Sequence, residues 1–293
     1  MRVRVLGTSA GGGLPQWNCA CPNCRAAREG RLGPRLQCAL AFCDADAGWY
    51  LVNATPDVTH QMSRWPELHP RRGVRQAPVR GVLLTDGELD HVLGLLHLRE
   101  STPWTLYATP SVLRLLREDL CLLPALERYN EVRARPLTAS GMELPGVEVR
   151  IVETSRRRPR YARGGGEGSV VALVLTDRTT GQSLVYAPGV AELSEPLRTV
   201  CVTASVVLFD GTFFTDDEPV RMGIASENAR AMGHVPVSGR DGSACWLADL
   251  PTPYKLYVHL NNTNPLLDPD SQARAWIREL GLEVAEDGWE VVV

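Results

Sequence analysis

Lysine is almost missing from this chain of 293 residues: Lys255 is the only one, and arginine carries the rest of the positive charge. Net charge is scarce too, at −3, so there is no field to draw the protein to nucleic acid or to an anionic membrane surface. No run of 18 apolar residues occurs, which excludes a membrane-spanning helix from the expectations. The opening residues, Met1 to Leu6, alternate apolar and charged side chains like a half-buried strand, where a secretory signal needs an apolar core. Repeats and low-complexity linkers are also missing, so the reading is a single cytoplasmic domain over 1–293. Histidine is sparse, with six in all and none from 98 to 233.

What is present begins with cysteine. Eight occur, and three fall in Cys19-Ala20-Cys21-Pro22-Asn23-Cys24. A cytoplasmic chain has no use for a disulfide framework, and a tight C-x-C-x-x-C turn can wrap one tetrahedral ion. The loop 17–25 is therefore expected to hold a structural Zn(II), with a fourth ligand from elsewhere. A redox pair is the alternative, although it usually opens a helix in a βαβ unit. Cys38, Cys43, Cys121, Cys201 and Cys245 stand singly among apolar residues and are expected in the core. Gly11-Gly12-Gly13, just upstream, permits close approach of another group, but no Lys-Ser/Thr pair follows to make a phosphate loop.

The densest chemistry lies after Val79 to Leu84, a largely apolar stretch interrupted by Arg80, which is expected to be a buried strand. Asp86, Glu88, Asp90 and His91 follow within six positions, and a helix is expected to begin near His91. Four groups able to bind or organise a metal at a strand's carboxyl end suit a metal loop; a polar turn with an N-cap is the other reading. Further strands are predicted over Val200–Phe209, leading to Asp210, and over Lys255–Leu260, delivering His259. Hairpins are expected around Asp44 to Gly48, around Thr179 to Gly181, and at Asp287-Gly288 between Val284 and Val293. Helices are expected after Pro56, from Thr109-Pro110 to Leu116, and over Ser271–Leu280; 119–137 reads as helical or irregular. Ser155 to Gly168 is basic and then glycine-rich, a loop of the kind that borders pockets. Strands in both halves without strict βαβ alternation predict two mixed sheets packed face to face, with helices on the outer faces.

This arrangement resembles the metallo-β-lactamase fold, an αββα sandwich whose metals sit at loop ends between the sheets. Its His-x-His-x-Asp-His signature shares a frame with Asp86 to His91, matching at Asp90 and His91. Within that superfamily, Gly11 to Cys21, Asn53-Ala54-Thr55-Pro56-Asp57, Tyr186-Ala187-Pro188-Gly189, Phe209-Asp210-Gly211-Thr212, Met232-Gly233-His234 and Val258 to Pro265 are similar to the coenzyme PQQ synthesis protein B family. These blocks span almost the whole chain. The departures fall at 155–169 and 223–231.

The superfamily's dinuclear hydrolases clamp a water between two metals. Against that pattern Asp86 and Glu88 replace two histidines, the histidine gap removes a third ligand, and Pro188 stands where the bridging aspartate would fall. The ligands left are Asp90, His91 and His259, two imidazoles and a carboxylate with open positions, the set of non-haem Fe(II) oxygenases. Asp86 and Glu88 would join the metal or orient its ligands. Asp210 would support the site from behind or ligate the metal directly, and His234 would act as acid/base, as substrate partner or only structurally. The family resemblance implies an iron- and O2-dependent hydroxylase of a tyrosine-derived ring in a Glu–Tyr conjugate, on the route to pyrroloquinoline quinone. A soluble carrier of the quinone and a metal-dependent phosphodiesterase are the alternatives. The implied partner is a small molecule, with no nucleic acid and no membrane insertion; oligomeric state stays open, a homodimer included. Arg156, Arg157, Arg158, Arg160 and Arg163 would either hold substrate carboxylates or form a solvated basic loop.

Overall fold

Ala41 and Phe42 are neighbours in sequence but pack into different cores, and the same division runs through most strands of the molecule. The computed structural model describes residues 1–43, 48–71, 74, 76, 78–100, 102–163 and 169–293. One seven-stranded sheet contains β1 (Arg2–Gly7), β2 (Ala39–Cys43), β3 (Trp49–Val52), β4 (Val79–Leu83), β5 (Trp104–Ala108) and β6 (Val132–Pro136). The other holds β7 (Met142–Leu144), β8 (Val147–Ser155), β9 (Val170–Asp177), β10 (Ser183–Ala187), β11 (Val206–Asp210), β12 (Tyr254–Val258) and β13 (Glu283–Val284). A last strand, β14 (Glu290–Val292), returns to the first sheet beside β1.

Because side chains alternate along a strand, each sheet feeds two apolar layers. Leu40 and Phe42 meet Leu173, Leu175 and Leu208 between the sheets. Ala39, Ala41, Val82 and Leu84 turn the other way, toward helices carrying Val58 and Val112. Val174, Val207 and Phe209 face helices carrying Leu197, Leu247 and Ile277. Strands buried on both faces read as nearly continuous apolar runs, which is how β10 and β11 look in the sequence, whereas β4 is interrupted by the exposed Arg80. The result is the expected αββα sandwich of two mixed sheets.

Topology then places the polar strand ends. Strands β3 to β6 run parallel, as do β10 to β13. Residues just beyond the carboxyl ends of β4, β10, β11 and β12 (Asp86, Pro188, Thr212 and His259) all line one cavity. Open sheets present their chemistry at this end.

Several expectations need correction. Val200–Phe209 is not one strand: Glu195–Thr203 is a helix, and only Val206–Asp210 pairs in the sheet. Pro196 starts that helix behind the Ser194 cap, and Leu197 and Cys201, one turn apart, bury together. The C-terminal strands do not pair with each other. β13 joins β12 while β14 joins β1, and Asp287 anchors the crossing by accepting from Leu36 N and Thr8 Oγ1, each at 2.7 Å. The helix after Thr109 keeps α-geometry only to Arg114 and widens over Leu115–Asp119, while 119–137 includes a short helix, Leu122–Leu126, and β6. Of the five single cysteines, Cys38 and Cys201 are buried and Cys43 is partly so, whereas Cys121, just before the helix Leu122–Leu126, and Cys245, on the helix Ser243–Ala248, are exposed. The turn at 44–47 and the glycine-rich stretch 164–168 lie outside the described residues.

Candidate metal centre

Beyond β4 the chain enters a ladder of side-chain hydrogen bonds. Asn53, at the end of β3, exchanges bonds of 3.0 Å with the backbone N–H and hydroxyl of Thr85. It does so from a left-handed backbone (φ 63°), a region that asparagine tolerates better than most residues. Thr85 donates to Asp86 Oδ2 at 2.7 Å, and the same oxygen accepts from His91 Nδ1 at 2.7 Å. Asp86 Oδ1 takes the backbone N–H of Glu88 at 2.9 Å. Both Asp86 oxygens are thus engaged, and the residue is 3% exposed. Burial disfavours the charged carboxylate, but the adjacent His91 outweighs it and holds Asp86 below its usual range. Asp86 therefore orients His91. With Nδ1–H held by Asp86, the ligating position left to His91 is Nε2, which is buried and has no hydrogen-bond partner among the described residues. Despite burial, Asp86 and Asp90 raise the imidazole to about 9, so a metal bound there would replace a proton.

His259 repeats this logic from the other sheet. It follows β12 with φ 58°, an uncommon conformation for a residue with a Cβ. Its Nδ1 lies 2.9 Å from Thr212 Oγ1, and that hydroxyl donates to Asp210 Oδ1 at 2.6 Å. The hydroxyl's one hydrogen is thereby used, so His259 Nδ1–H is the donor and Nε2 is again the ligating position. This nitrogen too is buried without a hydrogen-bond partner, 3.6 Å from Asp90 Oδ2. The donor atoms of Asp90, His91 and His259 lie within 4.8 Å of one another. A buried polar atom left unpaired costs about 1–3 kcal/mol, and here two imidazole nitrogens converge on one carboxylate. That donor set fits a transition metal, with Asp86 and Thr212 fixing the two imidazoles from behind.

His234 forms the third corner. Its Nδ1 donates to Asp210 Oδ2 at 2.7 Å and its ring stacks on His259 at a centroid distance of 5.8 Å. Asp210 is fully buried; its oxygens also accept from Val190 N at 2.9 Å and Thr212 N at 3.0 Å. Although Asp210, His234 and His259 also cluster within 4.8 Å, both Asp210 oxygens are engaged, so Asp210 holds His234 and Thr212 in place. Glu88 is different. Burial and the carboxylates of Asp86 and Asp90 push it up to about 7.

These residues open on a cavity of about 750 Å³, whose lining also includes Tyr161, Phe213 and Ile224. Tyr161 donates its hydroxyl to Gly87 O at 2.6 Å, tying the basic loop to the acidic one. Of the five loop arginines, only Arg157 and Arg160 line the cavity.

The cysteines form a separate cluster. The sulfurs of Cys19, Cys21 and Cys24 lie within 4.8 Å of one another, and Cys21 caps the helix Pro22–Arg28. The carboxamide of Asn262 faces all three sulfurs, with Nδ2 at 3.0, 3.5 and 3.3 Å. Oxygen and nitrogen of an amide exchange by a half-turn, so the same group can offer Oδ1 as the fourth donor of a tetrahedral site. Three converging thiols with such a neighbour fit a zinc ion. The C-x-x-C does open a helix, but β1 and β2 on either side are antiparallel, so no βαβ unit frames it.

Comparison with known proteins bears on all of this. The Beta-lactamase superfamily domain family matches residues 48–260. Coenzyme PQQ synthesis protein B of Rhodopseudomonas palustris is 38% identical, with both chains covered completely. The crystal structure of Zn(2+)-bound PqqB from Methylobacterium extorquens superposes with a TM-score of 0.92 at 36% identity, over 100% of each chain. The chain belongs to the coenzyme PQQ synthesis protein B family. A diphosphatase of the PhnP family, 18% identical with a TM-score of 0.69 over 99% of this chain and 97% of its own, shares the metallo-β-lactamase fold.

In this PQQ synthesis protein B family member, Asp90, His91 and His259 come together as a set, while Asp86 and Asp210 stand behind the imidazoles. Sequence reasoning passed over Thr212, Tyr161 and Asn262. Thr212 had a signal, standing two places after a strand-end aspartate. Tyr161 had none, since it reaches its partner across 74 residues; Asn262 stands in the family-like block Val258 to Pro265, but its cysteine partners lie 238 or more residues away.

Proposed function

We propose that the chain is a mononuclear non-haem Fe(II), O2-dependent hydroxylase that acts on a tyrosine-derived ring in pyrroloquinoline quinone synthesis, the process for which its relatives are named. The observation that carries this reading is the pair of buried, unpartnered Nε2 atoms of His91 and His259 facing Asp90. Two imidazoles and one carboxylate leave coordination positions open for a substrate and O2. Fe(II), when bound there, supplies O2 activation. The protein's own residues do the rest. Asp86 and Thr212 fix the tautomers of His91 and His259, and His234, whose Nδ1–H is held by Asp210, keeps a lone pair on Nε2 to accept a phenolic proton. Phe213 and Ile224 give the ring an apolar wall. A second hydrolytic metal finds little support, because Asp86 is committed to His91.

The test is anaerobic reconstitution with Fe(II), followed by a glutamyl-tyrosine substrate, 18O2 and ascorbate, the two-electron reductant that takes the second oxygen atom to water. A product heavier by one labelled oxygen is expected. Activity that follows Zn(II) and consumes no O2 sinks the reading, and robust turnover of a bis-aryl phosphodiester abolished by His91→Ala would establish the hydrolase in its place.

A further inference from the structure

The basic loop between β8 and β9 carries five arginines, and the structure sorts them. Arg156 donates to Glu153 at 2.6 Å. Arg157 reaches Ala231 O and lies 3.4 Å from Glu227. Arg158 donates to Arg163 O at 2.5 Å and sits 4.0 Å from Asp119. Arg163 is held by its backbone N–H, 2.9 Å from Asp119, and does not line the cavity. Arg160 alone both lines the cavity and makes no hydrogen bond or ion pair among the described residues.

The loop that bears it is fastened. Arg157 holds one side to Ala231, Arg163 holds the other to Asp119, and Tyr161 is tied to Gly87 between Asp86 and Glu88. One peptide unit, about 3.8 Å between Cα atoms, separates Arg160 from that tyrosine. Its guanidinium therefore projects from a fixed point beside the acidic loop. Of the other charged groups lining the cavity, Arg157 is already engaged by Ala231 O and Glu227, while Asp86, Glu88 and Asp90 are acidic and do not attract an anionic substrate. A free guanidinium fork supplies what they lack, two parallel N–H donors matched to a carboxylate.

We propose that Arg160 is the carboxylate-binding residue of this cavity, so that the substrate is an amino acid or short peptide held by one of its carboxylates. The assignment rests on the reading that the cavity takes a tyrosine-derived substrate. The test is calorimetric titration of the full chain, loaded with Zn(II) and kept from O2, using three probes. Glutamyl-tyrosine carries both carboxylates, glutamyl-tyramine lacks the C-terminal one, and alanyl-tyrosine lacks the side-chain one. Arg160→Gln is expected to weaken glutamyl-tyrosine by roughly tenfold or more, a charge-assisted pair's share of affinity. It should leave unchanged the binding of whichever analogue has already lost the recognised carboxylate. Arg160→Lys should recover part of the loss, and Arg156→Gln should change nothing. Equal weakening of all three probes, or no weakening of any, overturns the assignment while leaving the hydroxylase reading intact. Failure of the unaltered protein to bind any probe overturns both.

Discussion

Replacing Asp86 by asparagine removes a single negative charge at nearly constant shape, which makes it a sharp test of the site. Three protons converge on that carboxylate, from Thr85 Oγ1, His91 Nδ1 and Glu88 N, at 2.7 to 2.9 Å. A carboxamide has one accepting oxygen and one donating nitrogen. Turned toward Glu88 N, its oxygen leaves the NH2 group against His91 Nδ1–H; turned toward His91, it sets NH2 against the Glu88 N–H. The first arrangement is relieved by moving the imidazole proton to Nε2, which destroys the lone pair that faces Asp90 and His259. A hydrogen bond to a charged group contributes about 1.5–3 kcal/mol, which corresponds to roughly 10- to 100-fold in affinity. Loss of a carboxylate behind a ligating histidine has a similar effect in other metal sites. Competition against a calibrated chelating dye, on Asp86→Asn and the unaltered chain side by side, measures it, with thermal melts showing that both fold. Metal affinity within about threefold of the unaltered protein would refute the orienting role of Asp86.

Gly11→Ala places a Cβ 3.1 Å from Asp90 Oδ2, so it should weaken metal binding by pushing that carboxylate while shifting the urea midpoint little. Cys21→Ser should remove one zinc by elemental analysis and lower the melting temperature by several degrees, because a structural ion contributes folding free energy; loss of the second metal at the same time would contradict separate sites. Native-state alkylation followed by mass spectrometry should label Cys121 and Cys245 quickly. Cys38 and Cys201 should stay unlabelled until the chain is denatured, since burial pushes both thiols up to about 12 and keeps them protonated at neutral pH.

The residues that carry the site were easier to find in the sequence than the residues that hold them. Asp86 to His91, Asp210 and His259 each end an apolar run, and a strand that stops at a polar group is a local signal. The helix Glu195–Thr203 went unseen because its apolar residues, Val200 to Val202, run into the strand Val206–Asp210, and β-branched side chains favour strands. Leu197 and Cys201, spaced one turn apart, were the evidence against that reading. The division of Glu283–Val284 and Glu290–Val292 between sheets was illegible for another reason: partner choice depends on which sheet edge is free, and that is settled far away in sequence. Tyr161 and Asn262 belong to the same class. Their roles arise from tertiary contact, and nothing beside them in the chain announces it.

The pairing of β14 with β1 also has a consequence for how this protein is made. Arg2 pairs with Val292 and Arg4 with Glu290, so β1 is synthesised long before the strand that completes its edge. Until then β1 is an open sheet edge that can bind a second nascent chain. The edge carries its own charges: Arg2 and Arg4 lie on one face of β1, and they find Glu290 only when β14 arrives. Two arginines that discourage strangers during synthesis thus become, in the finished sandwich, the clasp that joins its two ends.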